Sequence, residues 1–197
     1  MHKRLYFLVY AMVAIMLVAC SPGQSQQAAS FYATDITGAD FAHDFRLTDQ
    51  AGNTRTLADF KGKAVALFFG YTHCPDVCPT TMADLSAAMK LMGKRGDEVQ
   101  VLFVTLDPER DTQQVLAQYV PSFDSRFIGL YGTPEQTAAV ARDFKVFYAK
   151  QESAGHDGYT IDHSAGVYAF DKAGKVRLYF KYAQKPAEIA HDLEQIL

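Results

Sequence analysis

Short, nearly continuous apolar runs alternate along this chain with segments whose apolar residues recur every three or four positions. VALFFG, Val65 to Gly70, and VQVLFVTLD, Val99 to Asp107, are of the first kind; such runs suit strands covered on both faces. Thr80 to Met92 is of the second kind, with Met82, Leu85, Met89 and Met92 on one helical face. After the second strand, Asp111 is expected to cap a helix, with Gln114 completing a capping box and Val115, Leu116 and Tyr119 supplying apolar contacts. FIGLYG then offers a short strand, and Pro134 opens a helix running to about Phe144. Before this block, Asp44 to Thr54 reads as a hairpin turning at Gln50-Ala51-Gly52-Asn53. After it, AGVYAF (Ala165 to Phe170) and VRLYFKY (Val176 to Tyr182) flank Asp171-Lys172-Ala173-Gly174, a good hairpin connection. Pro186 starts a terminal helix through Leu197 with Ile189, Leu193 and Ile196 inward. Gly155 to Tyr159 reads as a projecting loop. Strand–helix units followed by a hairpin and a helix predict one α/β domain, a central mixed sheet with helices on both faces and an N-terminal hairpin.

The first twenty residues break the rhythm. His2, Lys3 and Arg4 form a positive head, and Leu5 to Ala19 is an apolar run of fifteen, short for a membrane span and right for an export signal. It ends in LVAC, Leu17 to Cys20, before the polar SPGQSQQAAS. This resembles a bacterial lipoprotein signal, which implies cleavage before Cys20 and lipid attachment to it. The competing reading is an uncleaved anchor helix with an incidental cysteine. Either way the bulk of the chain is expected outside the cytoplasm. The resulting division is a signal over 1–19, a lipid-anchored flexible tether over 20–40 and a folded domain over 41–197.

Composition narrows the function classes. The chain has 197 residues, 49% hydrophobic and 21% charged, enough for one globular domain and hardly for two. Its formal charge is -3, falling to -5 once Lys3 and Arg4 leave with the signal. With no Lys/Arg block, nucleic-acid binding is not expected. The domain is expected to be a monomer.

The chemistry centres on FFGYTHCPDVCPTT, Phe68 to Thr81. With Cys20 assigned to the anchor, Cys74 and Cys78 are the only thiols of the folded domain. Cys74 follows a strand and Cys78 falls where the next helix begins, so roughly one helical turn places both on one face. Pro75 and Pro79 stiffen the turn without harming the helix interior, and the positive helix end favours thiolate over thiol. A Cα separation of about 6 Å lies inside the disulfide range, while two convergent thiolates are equally a partial site for copper(I) or zinc. Redox work, soft-metal binding and a permanent structural disulfide therefore all remain open, although a bridge closing so small a loop is a poor staple.

An imidazole could decide among them. His163, in TIDHSAGVYAF, enters the penultimate apolar strand, from which it could approach the cysteine loop. Two thiolates and a neutral imidazole suit three-coordinate copper(I), whereas zinc normally wants a fourth ligand. The other histidines are weaker choices. His2 leaves with the signal, His43 lies near the tether, His73 shapes the loop, His156 faces solvent and His191 belongs to the last helix. Asp76 could accept an amide or face water, and Asp162 could orient His163 or organise its turn. Asp107 and Arg110 read as a strand-to-helix corner, and Met82 mainly as core packing.

FRLTDQAG, FKGKAVALFFGYTHCPDVCPTT, TLDPERDT and DHSAGVYAF occur in this order across Phe41 to Leu197. Together they resemble the SCO/SenC family of copper-binding cytochrome c oxidase assembly proteins. The resemblance implies a thioredoxin-like fold and one copper ion, as Cu(I) or Cu(II), held by Cys74, Cys78 and His163. Asp76 and Asp162 match motif positions beside the ligands. The implied partners are a periplasmic copper donor and, as recipient, cytochrome c oxidase subunit II or another exported copper protein. The implied location is the periplasmic face of a bacterial membrane. The alternative implied by the same family is a membrane-tethered thiol–disulfide reductase, with Cys74 as nucleophile and Cys78 resolving. The chain departs from ordinary thioredoxin oxidoreductases in having CPDVC rather than CxxC. It also has no proline between Pro134 and Pro186, DHSA standing where such enzymes carry a cis-proline.

Overall fold

In the computed structural model, which describes residues 30–152 and 158–197, two parallel strands make the centre, and alternation along them explains the layers. In the strand Ala64–Gly70, Ala64, Ala66 and Phe68 face one apolar cluster while Val65, Leu67 and Phe69 face another. Val101 and Phe103, against Leu102 and Val104, divide the strand Val99–Thr105 in the same way. With every residue of both strands buried, the sheet needs cover on each side, and the helices supply it.

In chain order the strands are β1 (Thr34–Asp35), β2 (Leu47–Asp49), β3 (Thr54–Arg55), β4 (Ala64–Gly70), β5 (Val99–Thr105), β6 (Ile128–Tyr131), β7 (Tyr148–Glu152), β8 (Tyr159–His163), β9 (Val167–Phe170) and β10 (Val176–Phe180). The α-helices are α1 (Val77–Met92), α2 (Gln113–Tyr119), α3 (Pro134–Asp143) and α4 (Pro186–Glu194). Eight strands form one mixed sheet in the order β1-β10-β9-β4-β5-β6-β2-β3. β4, β5 and β6 run parallel, and β9 is antiparallel to β4. One face carries α1 and α4 through Met82, Leu85, Met89, Ile189 and Leu193; the other carries α3 through Val140 and Ala141. This is the expected thioredoxin-like architecture, with the 44–54 hairpin realised as β2 and β3 and its turn gathered on the buried Asp49 carboxylate.

Two expectations require correction. The compact unit begins at Phe31 rather than at Phe41. The buried Asp192 of α4 accepts the amides of Tyr32 (3.1 Å) and Ala33 (2.7 Å), and β1 extends the sheet along β10. The second concerns Tyr159, read as part of a loop. It opens β8, which pairs with β7 in a separate antiparallel two-stranded ribbon. Residues 1–19, the lipidation candidate Cys20 and His156 lie outside the described residues. Among the described residues, no helix is long and apolar enough to cross a membrane.

Candidate metal centre

β4 delivers the cysteines. It ends at Gly70, and the turn Tyr71–Cys74 is closed by the Cys74 amide donating to the Tyr71 carbonyl at 3.3 Å. α1 starts at once, with Asp76 at the N-cap position, Cys78 as its second residue and Pro79 as its third. Pro79 is tolerated because the first four helical amides have no intrahelical acceptor. Asp76 is exposed and supplies no side-chain cap. The Cys74 sulfur takes that role, accepting the Cys78 amide at 3.4 Å. Sulfur here occupies the place where a helix start best stabilises negative charge.

The two thiols are inequivalent. Cys78 is fully buried, Cys74 half-buried, and both are free. The hydrogen bond from Cys78, the contact with His163 and the amides of Asp76 and Cys78 hold the Cys74 thiol far below its ordinary range, against the opposing effect of burial. The same partnership, together with burial, pushes Cys78 up. The physical picture is one proton shared by a pair, with the thiolate at the half-buried sulfur and the thiol at the fully buried one.

His163 arrives from the ribbon. Alternation along β8 sends Tyr159, Ile161 and His163 to one face and Thr160 and Asp162 to the other. Ile161 is accordingly buried and Asp162 exposed. His163 Nε2 lies 3.4 Å from Cys78 Sγ, and its Nδ1 donates to the Ser164 carbonyl at 2.9 Å. A carbonyl only accepts, so a neutral ring carries its hydrogen on Nδ1 and presents the Nε2 lone pair to the sulfurs. The imidazole meets the rings of Phe68 (6.1 Å) and Tyr71 (6.0 Å) edge to face. Cys74, Cys78 and His163 thus offer three ligand atoms that all lie within 4.8 Å of one another. Cys74 and His163 border an open cleft of about 470 Å³ lined also by Tyr71, Pro75, Asp76 and Asp162, while Cys78 is fully buried.

The remaining candidates stay out of the cluster. His73 is exposed, with Nδ1 at 3.1 Å from Thr72 Oγ1. His43 bonds Asp143, and His191 packs edge-on to Tyr32. Met82 is fully buried in the core. The hydrogen-bond partner of His163 Nδ1 is the Ser164 carbonyl and not the Asp162 carboxylate.

Asp111, expected as a helix cap, has another task. Thr112 is the N-cap of α2, accepting the Val115 amide on Oγ1. Asp111 is buried and accepts from the Thr72 amide (3.0 Å), Thr72 Oγ1 (2.6 Å) and Thr105 Oγ1 (2.6 Å), bolting the cysteine turn to the end of β5. Burial raises its pKa, opposed by these three donors. Gly70 also escaped the sequence reading. A Cβ there would stand 2.9 Å from Cys78 Sγ and 2.9 Å from Phe103 Cε2, so the sulfur seats only because the strand end has no side chain. The sequence signal for it was the strand-terminal glycine in FFGYTHC.

Comparison with known proteins agrees with this construction. The SCO1/SenC family model matches residues 33–197. The bovine mitochondrial protein SCO2 homolog is 38% identical over 154 residues, covering 77% of this chain but 58% of its own length. The structure of Bradyrhizobium japonicum ScoI with copper bound superposes with a TM-score of 0.71 at 41% identity, covering 78% of this chain and 98% of that one. Arabidopsis thaliana ScoI with copper bound gives 0.75 at 32% identity, covering 80% and 98%. With the motifs, the sheet and the three converging ligand atoms all in place, the chain belongs to the SCO1/SenC family of copper-binding cytochrome c oxidase assembly proteins.

Proposed function

We propose that this chain is a copper metallochaperone of the cell envelope. Its domain takes one copper ion on Cys74 Sγ, Cys78 Sγ and His163 Nε2 and passes it by ligand exchange to an exported copper protein. The intended recipient is the dinuclear copper site of cytochrome c oxidase subunit II or a related centre. The observation that carries this reading is the convergence of two sulfurs and an imidazole nitrogen within 4.8 Å beside an open cleft. Two thiolates and one neutral nitrogen match the soft-ligand preference of copper(I), and copper is the ion in the Bradyrhizobium and Arabidopsis structures described above.

The asymmetry of the donors suits transfer. Cys74 and His163 border the cleft, whereas Cys78 is fully buried. A recipient thiolate can enter over Cys74 while the imidazole leaves, with Cys78 the last donor to release. Copper entry displaces the Cys78 proton, because metal-bound sulfur is thiolate. We further propose that residues 1–19 are an export signal, that Cys20 carries lipid, and that a short tether leads to the folded unit at the periplasmic membrane face. The test is stoichiometric copper transfer to a reduced recipient domain, comparing wild type with His163→Ala. Wild type should load the recipient. Native copper binding without loading of any plausible recipient would defeat delivery.

A second reading is favoured by one observation, the thiolate–thiol division between Cys74 and Cys78. As a reductase, Cys74 thiolate would attack a client disulfide, forming a mixed disulfide and expelling one client thiolate. Cys78 would then lose its proton, attack Cys74 Sγ and release the second client thiolate. The domain would be left oxidised, needing two electrons from an external dithiol reductant. Trapping a client on Cys74 in a Cys78→Ser variant, without copper dependence, is the outcome that selects this reading.

A further inference from the structure

The ribbon that carries His163 shares no ladder with the eight-stranded sheet, so something else must fix the imidazole over the sulfurs. At its base, Ser164 and Phe147 bond each other, the Ser164 amide to the Phe147 carbonyl (2.9 Å) and the Phe147 amide to Ser164 Oγ (3.1 Å). That pairing closes the ribbon on itself, and Tyr148, the cross-strand partner of His163, adds apolar packing against the core. Ile161 anchors the middle of β8 by burial in the core and by a hydrogen bond between its backbone and the Tyr71 hydroxyl, a single point about which a two-stranded ribbon can rock.

Directional contacts gather at the far end of β8, on the corner after β5. Arg110 Nη1 donates to the Tyr159 carbonyl at 3.0 Å, and Tyr159 Oη donates to Asp107 Oδ1 at 2.7 Å. The guanidinium lies 3.7 Å from the Tyr159 ring centroid and is itself ion-paired through Nε to Asp107 Oδ2. Asp107 is fully buried and Arg110 partly buried, which favours planar, forked recognition over a loose surface pair. The guanidinium also stands 5.9 Å from the ring of Tyr71, the aromatic that touches His163. An outer pair, Lys150 to Glu109 at 2.7 Å, is exposed and screened by solvent.

We propose that Asp107, Arg110 and Tyr159 form a clamp that positions His163, making them positioning residues for the imidazole donor. This rests on the copper reading above. Tyr159, Ile161 and His163 share one face of a single strand, so a clamp at Tyr159 and a pivot at Ile161 determine where His163 falls. Without the clamp the site reduces to two sulfurs with an intermittent nitrogen. The corner would thereby set how readily the imidazole yields to an incoming ligand.

The experiment loads the full chain with copper(II) alone and reads nitrogen hyperfine coupling by electron paramagnetic resonance, with copper(II) affinity in parallel. His163→Ala, Tyr159→Ala, Tyr159→Phe and Arg110→Lys are compared. His163→Ala should abolish imidazole coupling. Tyr159→Ala should weaken and broaden that coupling and lower copper(II) affinity about tenfold, the scale expected for a residue supporting a ligand. It should leave copper(I) stoichiometry at one. Tyr159→Phe keeps the ring on Arg110 and should restore most of the signal, while Arg110→Lys, which loses the fork, should resemble Tyr159→Ala. If Tyr159→Ala does not fold, the Arg110→Lys spectrum decides. Wild-type coupling and affinity in folded Tyr159→Ala or Arg110→Lys, with the coupling lost in His163→Ala, would overturn the clamp. Unchanged coupling in His163→Ala would instead remove the ligand assignment on which it rests.

Discussion

The two halves of the metal centre are held in opposite ways. Cys74 and Cys78 sit at the end of β4, in the middle of the sheet, where both faces are packed and Cys78 is fully buried. Their turn is bolted by the buried Asp111, and the helix start is satisfied by sulfur. His163 lies on a ribbon whose outer strand β7 buries little and whose ties to the body are a few side chains. Buried strands open only in global unfolding, whereas weakly packed elements open locally at lower cost. On the proposed copper reading that division assigns the sulfurs to retaining the ion and makes the imidazole the donor most easily exchanged.

Removing a sulfur should break the comparison most severely. Cys78→Ser takes away the buried donor, and the protein should no longer hold stoichiometric copper(I) against a competing chelator.

Acidity separates the two sulfurs next. Because the Cys74 pKa lies far below its ordinary value, its thiolate persists as pH falls and is lost only on passing the folded-state value. Its alkylation rate should stay nearly flat between about pH 6 and 8, where an ordinary thiol accelerates roughly fifty- to hundredfold. A steep rise would show that the hydrogen bond from Cys78, the His163 contact and the helix-start amides do not stabilise the anion.

Gly70→Ala tests the packed half. The added methyl meets Cys78 Sγ and Phe103 Cε2 at 2.9 Å. Overpacking of this kind costs about 1–3 kcal/mol, measurable by denaturant unfolding. An unchanged midpoint would mean that the sulfur has room to move.

His163→Ala tests the hung half. Copper(I) should still bind at one ion per domain, while copper(II) affinity falls roughly tenfold or more and the visible spectrum changes. Equal losses for both oxidation states would show that the two halves do not act separately. The smallest effect is expected of Asp162→Asn. An exposed residue that lines the cleft but lies outside the three-residue ligand cluster should shift stability by no more than about 0.5 kcal/mol and leave copper binding as it was. A large change would make Asp162 part of the site.

How much of this was legible depended on whether a residue's neighbours in sequence were also its neighbours in space. β4, β5 and α1 declared themselves because burial on both sheet faces, or on one helix face, leaves an unbroken or regularly spaced apolar record. β7 and β8 left no such record: YAKQE and YTIDH are mostly half-buried or exposed, since the ribbon packs through one strand face only. Asp111 resembled a helix cap because caps are local and frequent, and its partners Thr72 and Thr105 belong to other elements. The start of the domain was misread for the same reason. Its acceptor, Asp192, is 160 positions from Tyr32.

The sequence by itself determined the strands that cannot face water, the helix that follows the cysteines and the two sulfurs one turn apart, since each is a local consequence of hydropathy, helical period and proline chemistry. Only the tertiary structure decided which sulfur is buried, that a ribbon carries the imidazole, and which aromatics lie against it. Those outcomes depend on contacts between distant segments, and no local pattern encodes the distance between atoms that the fold alone brings together.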